Sequence, residues 1–455
     1  MPYKNGVFVF GGKEVKPDDL QNLWQFLYDS YTGLGGYRTG EYLIRHKRES
    51  DEKYERRKRL AYYPNFVKKI VDTFTAQVFK RPPQRQLTKE YELFVNDVDK
   101  TGTYIDDFMR RALKLSLIFG TVFIIVDKPS EEARTKQEEI ERKLLPYATI
   151  RLPNQVEDYE LDEYGNLKRI VFREGKERKR ELSTEVLRVL NKRGEVILER
   201  ENPLGVLPVV ILRTSDKLLY EELFSEPFIY TIAQLNFELY NLISEIREIL
   251  RNITFPVLIY PVRSIESFSQ KEMIMGTENA LLYEPETGGK PDFIAPPPAP
   301  VEVYLEYINK VIEQIYRTVN LEFTLGSQTQ KSGVALEFEF QNLNTLLSMF
   351  AMNLEKAEYE IANLVARWHG KKEFEGTIDY RKDFSFRDIE RELKIILDAL
   401  SAGIRSETFL IEAHKKIVRL SLGDSVDDKT LERIDKEIEG LEGVDNQLKN
   451  ELGNT

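Results

Sequence analysis

The sequence predicts an α+β protein, and three observations carry that reading. Between residues 146 and 213, short apolar-alternating runs are separated by turn residues, the pattern of antiparallel strands. Three long stretches, 226–253, 301–319 and 334–369, hold apolar residues at helical spacing. A short proline-bounded segment of β-type composition, 254–300, separates the first two stretches.

A chain of 455 residues can bury a sizeable core in two or three compact regions. Hydrophobic residues make up 41% and charged residues 31%, a soluble composition with a heavily charged surface. The formal net charge is −10, opposite to that of a typical free-standing nucleic-acid binder. Either nucleic acid is no ligand, or it is contacted without being gripped. With no cysteine, disulfides, thiolate chemistry and cysteine-ligated zinc are excluded, which fits an intracellular origin. Residues 1–10 do not read as a signal peptide, and Leu113–Val126 is too short and too interrupted to span a bilayer.

Residues 17–80 read as helices. Pro64 opens one, with Phe66, Ile70, Phe74 and Val78 on one face, and Pro82-Pro83 stops it. The charge run Arg45–Arg59 before it reads as a solvated helix face, because acidic residues interrupt it. Residues 104–118 form another helix with Phe108, Ala112, Leu115 and Ile118 aligned. Gly120 ends it, and Thr121–Val126 follows as a buried strand. Turns fall at Asp162–Asn166 and Lys192–Glu195.

Ser225-Glu226-Pro227 reads as the start of a helix carrying Ile232, Leu235, Leu239, Ile243, Ile246, Leu250 and Ile253 on one face. Pro256 ends it. Strands are expected at 256–260, 280–283 and 293–294, with a Gly288-Gly289 turn, before Pro296-Pro297-Pro298 closes the insert. The next helix carries Leu305, Ile308, Ile312, Ile315, Tyr316 and Val319. A polar segment bounded by Gly326 and Gly333 follows. From Val334 to His369 no proline or glycine appears, so one helix of roughly 50 Å is expected. A helix that long needs neighbours along its whole length, which points to a multi-subunit assembly. Residues 388–455 are helical and acidic, with Gly403 separating two helices and Ser406 capping the second.

Little in the sequence points to catalysis. His46, His369 and His414 are far apart and fit no two-histidine metal spacing. Gly11-Gly12-Lys13 and Gly288-Gly289-Lys290 lack the remaining residues of a phosphate loop and read as turns. The adjacent acidic pairs Asp106-Asp107, Glu157-Asp158 and Asp427-Asp428 do not converge by themselves. No cofactor or metal ligand set is expected.

The order of elements from 226 onward resembles that of the portal proteins of tailed bacteriophages. Local phrases are similar as well: Arg59–Phe66, Gly120–Asp127, Lys331–Leu336 and Ser401–Thr408. The resemblance implies an α+β wing over 1–225, stem helices at 226–253 and 301–320, and a clip at 254–300. It further implies a tunnel loop at 321–334, a long helix and return to the wing at 335–390, and a helical crown at 391–455. It implies a homo-oligomeric ring of about twelve subunits at one capsid vertex, without catalytic residues, assembled in the host cytoplasm. Double-stranded DNA would pass through the ring. The terminase large subunit and then a head-completion adaptor would dock on the clip, with Glu284, Glu286 and Lys290 facing them. Major capsid and scaffolding proteins would be further partners, and no membrane would be involved. In the tunnel loop, Ser327, Gln328, Thr329, Gln330, Lys331 and Ser332 would face DNA, with Gly326 and Gly333 as hinges. An acidic ring suits such a conduit, because many basic phosphate contacts would hold the duplex rather than let it slide. On the residues alone two other classes stay open: a metal-dependent nuclease or other phage enzyme, and a helical scaffold or minor capsid protein without a DNA channel.

Overall fold

The computed structural model describes residues 8–131, 133–216, 219, 222–254, 257–261, 281–285, 288–294, 297–321, 333–384, 389–402, 406–422, 426 and 430–440. The chain packs as two units, Met1–Phe384 and Ser385–Thr455.

In the first unit, strands β1 (Phe8–Phe10) and β2 (Lys13–Val15) pair across a Gly11-Gly12 turn. Helices α1 (Pro17–Thr32), α2 (Gly36–Thr39), α3 (Asp51–Leu60) and α4 (Phe66–Val78) follow. The last buries Val67, Ile70, Val71, Phe74 and Val78. Its first turn is capped by Asn65, whose side chain accepts from the Lys68 amide at 2.8 Å. Strand β3 (Gln84–Gln86), helix α5 (Lys89–Asn96) and helix α6 (Ile105–Phe119) lead to β4 (Thr121–Asp127), in which all seven residues are buried.

Gly120, between α6 and β4, holds φ at 79°. A Cβ there would lie 2.2 Å from the Ser225 carbonyl oxygen, so the chain can cross here only with glycine. The Ser225 hydroxyl donates to the Gly120 carbonyl at 2.9 Å, and its amide donates to Thr121 Oγ1 at 2.9 Å. Ser225 is thereby committed to β4 and is not a helix cap. The helix expected from 226 begins instead at Tyr230.

A short helix, α7 (Lys136–Glu141), precedes β5 (Tyr147–Arg151). Five strands then form an antiparallel meander: β6 (Val156–Leu161), β7 (Leu167–Glu174), β8 (Arg178–Ser183), β9 (Val186–Asn191) and β10 (Val196–Glu201). Two of its turns use the same device. The Asp162 carboxylate accepts from the Tyr164 and Asn166 amides, and Asn191 Oδ1 accepts from those of Arg193 and Glu195. Strand β11 (Val209–Arg213) returns to β4, giving a three-stranded sheet in the order β11-β4-β5. Asp127 at the end of β4 joins the two sheets. It pairs with Arg180 of β8 at 3.1 Å and with Arg200 of β10.

Helix α8 (Tyr230–Thr254) is followed by β12 (Val257–Pro261), β13 (Leu281–Tyr283) and β14 (Asp292–Ile294), then by helix α9 (Ala299–Thr318). Strand β12 is central, parallel to β13 and antiparallel to β14. Helix α10 (Gly333–Trp368) is a single helix of 36 residues. It buries Leu347, Phe350, Leu354, Ile361 and Val365 in the same core as α4, α6 and β4. Strand β15 (Thr377–Asp379) pairs with β3 and closes the unit.

The second unit contains α11 (Ile389–Ser401) and α12 (Glu407–Leu422), packed through Ile396, Ala413 and Leu420. Ser406 Oγ accepts from the Phe409 amide at 3.3 Å, the expected cap. Gly403 lies outside the described residues.

Candidate functional site: the helical hairpin and the long helix

Helices α8 and α9 form an antiparallel hairpin. Tyr304 donates to Glu245 at 3.0 Å and Tyr307 donates to Glu238, so rising numbers on one helix meet falling numbers on the other. Near the first unit's core the hairpin is well covered, with Ile232, Leu239, Ile315 and Tyr316 buried. Toward the β12–β14 sheet it is bare. Leu250, Val303, Leu305 and Tyr307 are exposed, as are Tyr260, Phe293 and Ile294 of the sheet. Val303 and Phe293 keep more than 60% of their surface in water. Scattered exposed apolar residues are ordinary, but a run along one end of a hairpin marks an interaction surface.

The other face of α8 is polar and has a partner within the chain. Asn236 is fully buried. Its Oδ1 accepts from the Phe66 amide at 3.0 Å, and its Nδ2 donates to the Pro64 carbonyl at 2.9 Å, which anchors the start of α4. Asn241 Oδ1 accepts from the Ile44 amide at 2.8 Å, and Tyr240 donates to the Tyr37 carbonyl at 3.1 Å. Tyr37 and Tyr63 stack with ring centroids 3.8 Å apart, and burial pushes the Tyr37 hydroxyl up to about 12. Further along, Ser244 accepts from Arg57 at 3.1 Å and Glu248 from Arg56 at 2.8 Å. The Arg45–Arg59 run is thus more than a solvated face: Arg57 is buried and paired with Glu49 at 2.8 Å.

Helix α10 is fixed by Glu358, whose carboxylate is fully buried. Arg85 of β3 binds it bidentately, Nε to Oε1 at 2.6 Å and Nη2 to Oε2 at 2.9 Å. Tyr91 of α5 donates to Oε1 at 3.2 Å, and Tyr380, just after β15, donates to Oε2 at 2.5 Å. Arg85 also pairs with Asp106 of α6 at 2.7 Å. Burial acts to lower the Arg85 pKa, but hydrogen bonding and charge from Glu358 outweigh it and the net shift is upward. Burial and the charge of Glu358 push both tyrosine hydroxyls well above their ordinary range. Three segments of the first unit thereby converge on one carboxylate of the long helix, and a fourth, α6, joins through Arg85.

The expected site residues fare differently. Glu284 and Lys290 are exposed beside the β12–β14 sheet, and the Tyr283 hydroxyl donates to the Lys290 carbonyl at 3.0 Å. Gly289 has Pro261, Pro285 and Tyr283 packed around it. Gly333 is the first residue of α10. Glu286, Gly326, Ser327, Gln328, Thr329, Gln330, Lys331 and Ser332 lie outside the described residues. Among the described residues no three metal-capable side chains converge. The sequence reading missed the polar row on α8 and the Glu358 cluster. The one available signal was an excess of asparagine inside a helix, where it is disfavoured without a partner.

The described chain is thus an α+β body bearing a sheet-capped helical hairpin and one 36-residue helix with a single buried face. The chain belongs to the phage portal protein family: the family described as "Phage portal protein, SPP1 Gp6-like" matches residues 24–443. Members of that family are structural, so this chain is a structural portal subunit and not an enzyme. Among solved structures, a chain of "Virion of native gene transfer agent (GTA) particle" is 12% identical with a TM-score of 0.47, covering 93% of this chain and 95% of that one. A chain of "Neck of empty GTA particle computed with C6 symmetry" is 11% identical with a TM-score of 0.46, covering 76% and 89%. A chain of "Neck of native GTA particle computed with C12 symmetry" is 10% identical with a TM-score of 0.43, covering 76% and 88%. No individually curated protein matches the chain.

Proposed function

We propose that this portal subunit closes into a ring of about twelve copies at one vertex of a phage capsid and forms the conduit for double-stranded DNA during packaging and ejection. The observation that carries the ring is the bare end of the hairpin. Leu250, Val303, Leu305 and Tyr307 would be covered by the same elements of a neighbouring copy. In this reading residues 1–225 are the wing, 226–253 and 301–320 the stem, 254–300 the clip, and 391–455 the crown. The clip is the docking surface for the terminase large subunit and later for a head-completion adaptor, with Glu284, Glu286 and Lys290 at the contact. Capsid and scaffolding proteins meet the ring from outside, and assembly takes place in the host cytoplasm. The net charge of −10 per copy supports sliding over gripping.

Residues 321–334 are assigned as the tunnel loop, where Lys331 and the polar groups of Ser327–Ser332 touch phosphate weakly. Deleting Ser327–Gln330 should leave rings intact and reduce the DNA packaged or retained per procapsid. Lys331→Glu should act more mildly, since it removes one of several weak contacts per subunit. Packaged DNA per procapsid, deletion ring against wild type, is the measurement. Equal amounts, equally retained, would reduce the segment to a connector.

A further inference from the structure

We propose that residues 33–63 form a strap across α8 that opens and closes as one piece while the main core stays folded. The segment leaves α1 and returns to α4 at the same place, because the Asn65 side-chain amide donates to the Tyr31 carbonyl at 2.9 Å. Gly33 and Gly35 open it with φ of 69° and 53°. Asn236 of α8 holds its far end at the Pro64 carbonyl. Both ends are thus fixed to the body, so what lies between them can move without displacing α1 or α4.

The strap carries its own internal bonds, which travel with it. Arg57 pairs with Glu49 at 2.8 Å and Arg45 with Asp51 at 2.6 Å, while the Tyr54 hydroxyl donates to the Leu43 carbonyl at 2.9 Å. Its apolar side chains add little hold on the body. Tyr37 and Leu43 are buried with Tyr240 in a small cluster separate from the main core, and Leu34, Ile44, Leu60 and Tyr62 are exposed. Toward α1 the strap is held by Tyr42, which donates to Asp29 at 2.8 Å, a polar contact.

Toward α8 the seam is polar along its length. Tyr240 donates to the Tyr37 carbonyl, and Asn241 accepts from the Ile44 amide and donates to the Tyr42 carbonyl at 3.3 Å. Further on, Arg57 donates to Ser244, and Arg247 donates to the Leu60 carbonyl. Water can replace each of these bonds, so parting the seam costs less than parting an apolar interface. The body behind it is different, because α4, α6 and β4 share the main apolar core. Regions joined by such a seam open at different free energies. An open strap uncovers the polar row of α8 and frees that helix from Tyr240 onward, so the strap sets how firmly α8 is held to the body.

The test is hydrogen exchange read by mass spectrometry on the full-length protein, with the oligomeric state held constant. The amides of Leu43 and Tyr54 report opening, because their acceptors, the Gly40 and Ser50 carbonyls, lie within the strap. In the wild type they should exchange about a hundredfold or more faster than amides of α6 and β4. Tyr240→Phe and Asn241→Ala weaken the seam and should each speed exchange at Leu43 and Tyr54, the second by about tenfold. Ile124→Val thins the main core at a fully buried position of β4. It should speed exchange in α6 and β4 and leave Leu43 and Tyr54 at their wild-type rates, because the core stays intact when the strap opens. Three results would each overturn the proposal: wild-type strap amides as slow as those of α6 and β4, no change at Leu43 and Tyr54 in either seam variant, or equal acceleration of strap and body by Ile124→Val.

Discussion

Glu358→Ala should destabilise the chain by about 3–5 kcal/mol, read as a lower urea midpoint at unchanged slope. The truncation leaves the Arg85 guanidinium, itself only 6% exposed, facing Asp106 alone, and strips the acceptor from the Tyr91 and Tyr380 hydroxyls. The penalty comes from the uncompensated groups left behind rather than from the worth of the pair. The double variant Arg85→Met/Glu358→Leu, which removes both charges, should therefore be more stable than Glu358→Ala. A loss below about 1 kcal/mol for the single variant would mean that water reaches the cluster and that it does not fix α10.

Gly120→Val should cost about 2–5 kcal/mol, combining a backbone angle that valine avoids with a clash against backbone that cannot swing away. The new Cβ meets the Ser225 carbonyl oxygen at 2.2 Å and Pro227 N at 2.9 Å. Gly175→Val separates the two effects. Its φ is 70°, but nothing lies within 4 Å of the position, so only strain remains. Thermal unfolding should rank wild type, Gly175→Val and Gly120→Val in that order. Equal losses for the two variants would remove the close crossing of Ser225 over Gly120 from the account.

The regular elements were legible because burial on one side writes a period into the sequence. The strand Thr121–Asp127, the turns at Asp162 and Asn191, the hairpin helices and the 36-residue helix all announce themselves through spacing and punctuation. Polar groups that work in the interior carry no such period. Glu358 reads as one more charged position on an amphipathic helix, and its partner Arg85 lies 273 residues away. Asn236 likewise looks like a solvent-facing break in the stripe, yet it holds the start of a helix 170 residues upstream. The start of α8 was misplaced for the same reason: Ser225 has the composition of a cap, and tertiary hydrogen bonds to Gly120 and Thr121 claim it. Of the candidate site, the β insert and the exposed positions of Glu284 and Lys290 could be read ahead, because prolines and a double glycine delimit the segment. Of the apolar run at the bare end of the hairpin, Leu250 and Leu305 lie on the expected stripes, whereas Val303 and Tyr307 do not. Only the fold shows that no part of the described first unit covers it.

Native mass spectrometry of the purified full-length chain, with negative-stain imaging of the same sample, tests the central claim most directly. Closed rings of about a dozen subunits around a central hole are expected, because a monomer leaves the bare end of the α8–α9 hairpin in water. A clean monomer at high protein concentration and moderate salt would contradict the account.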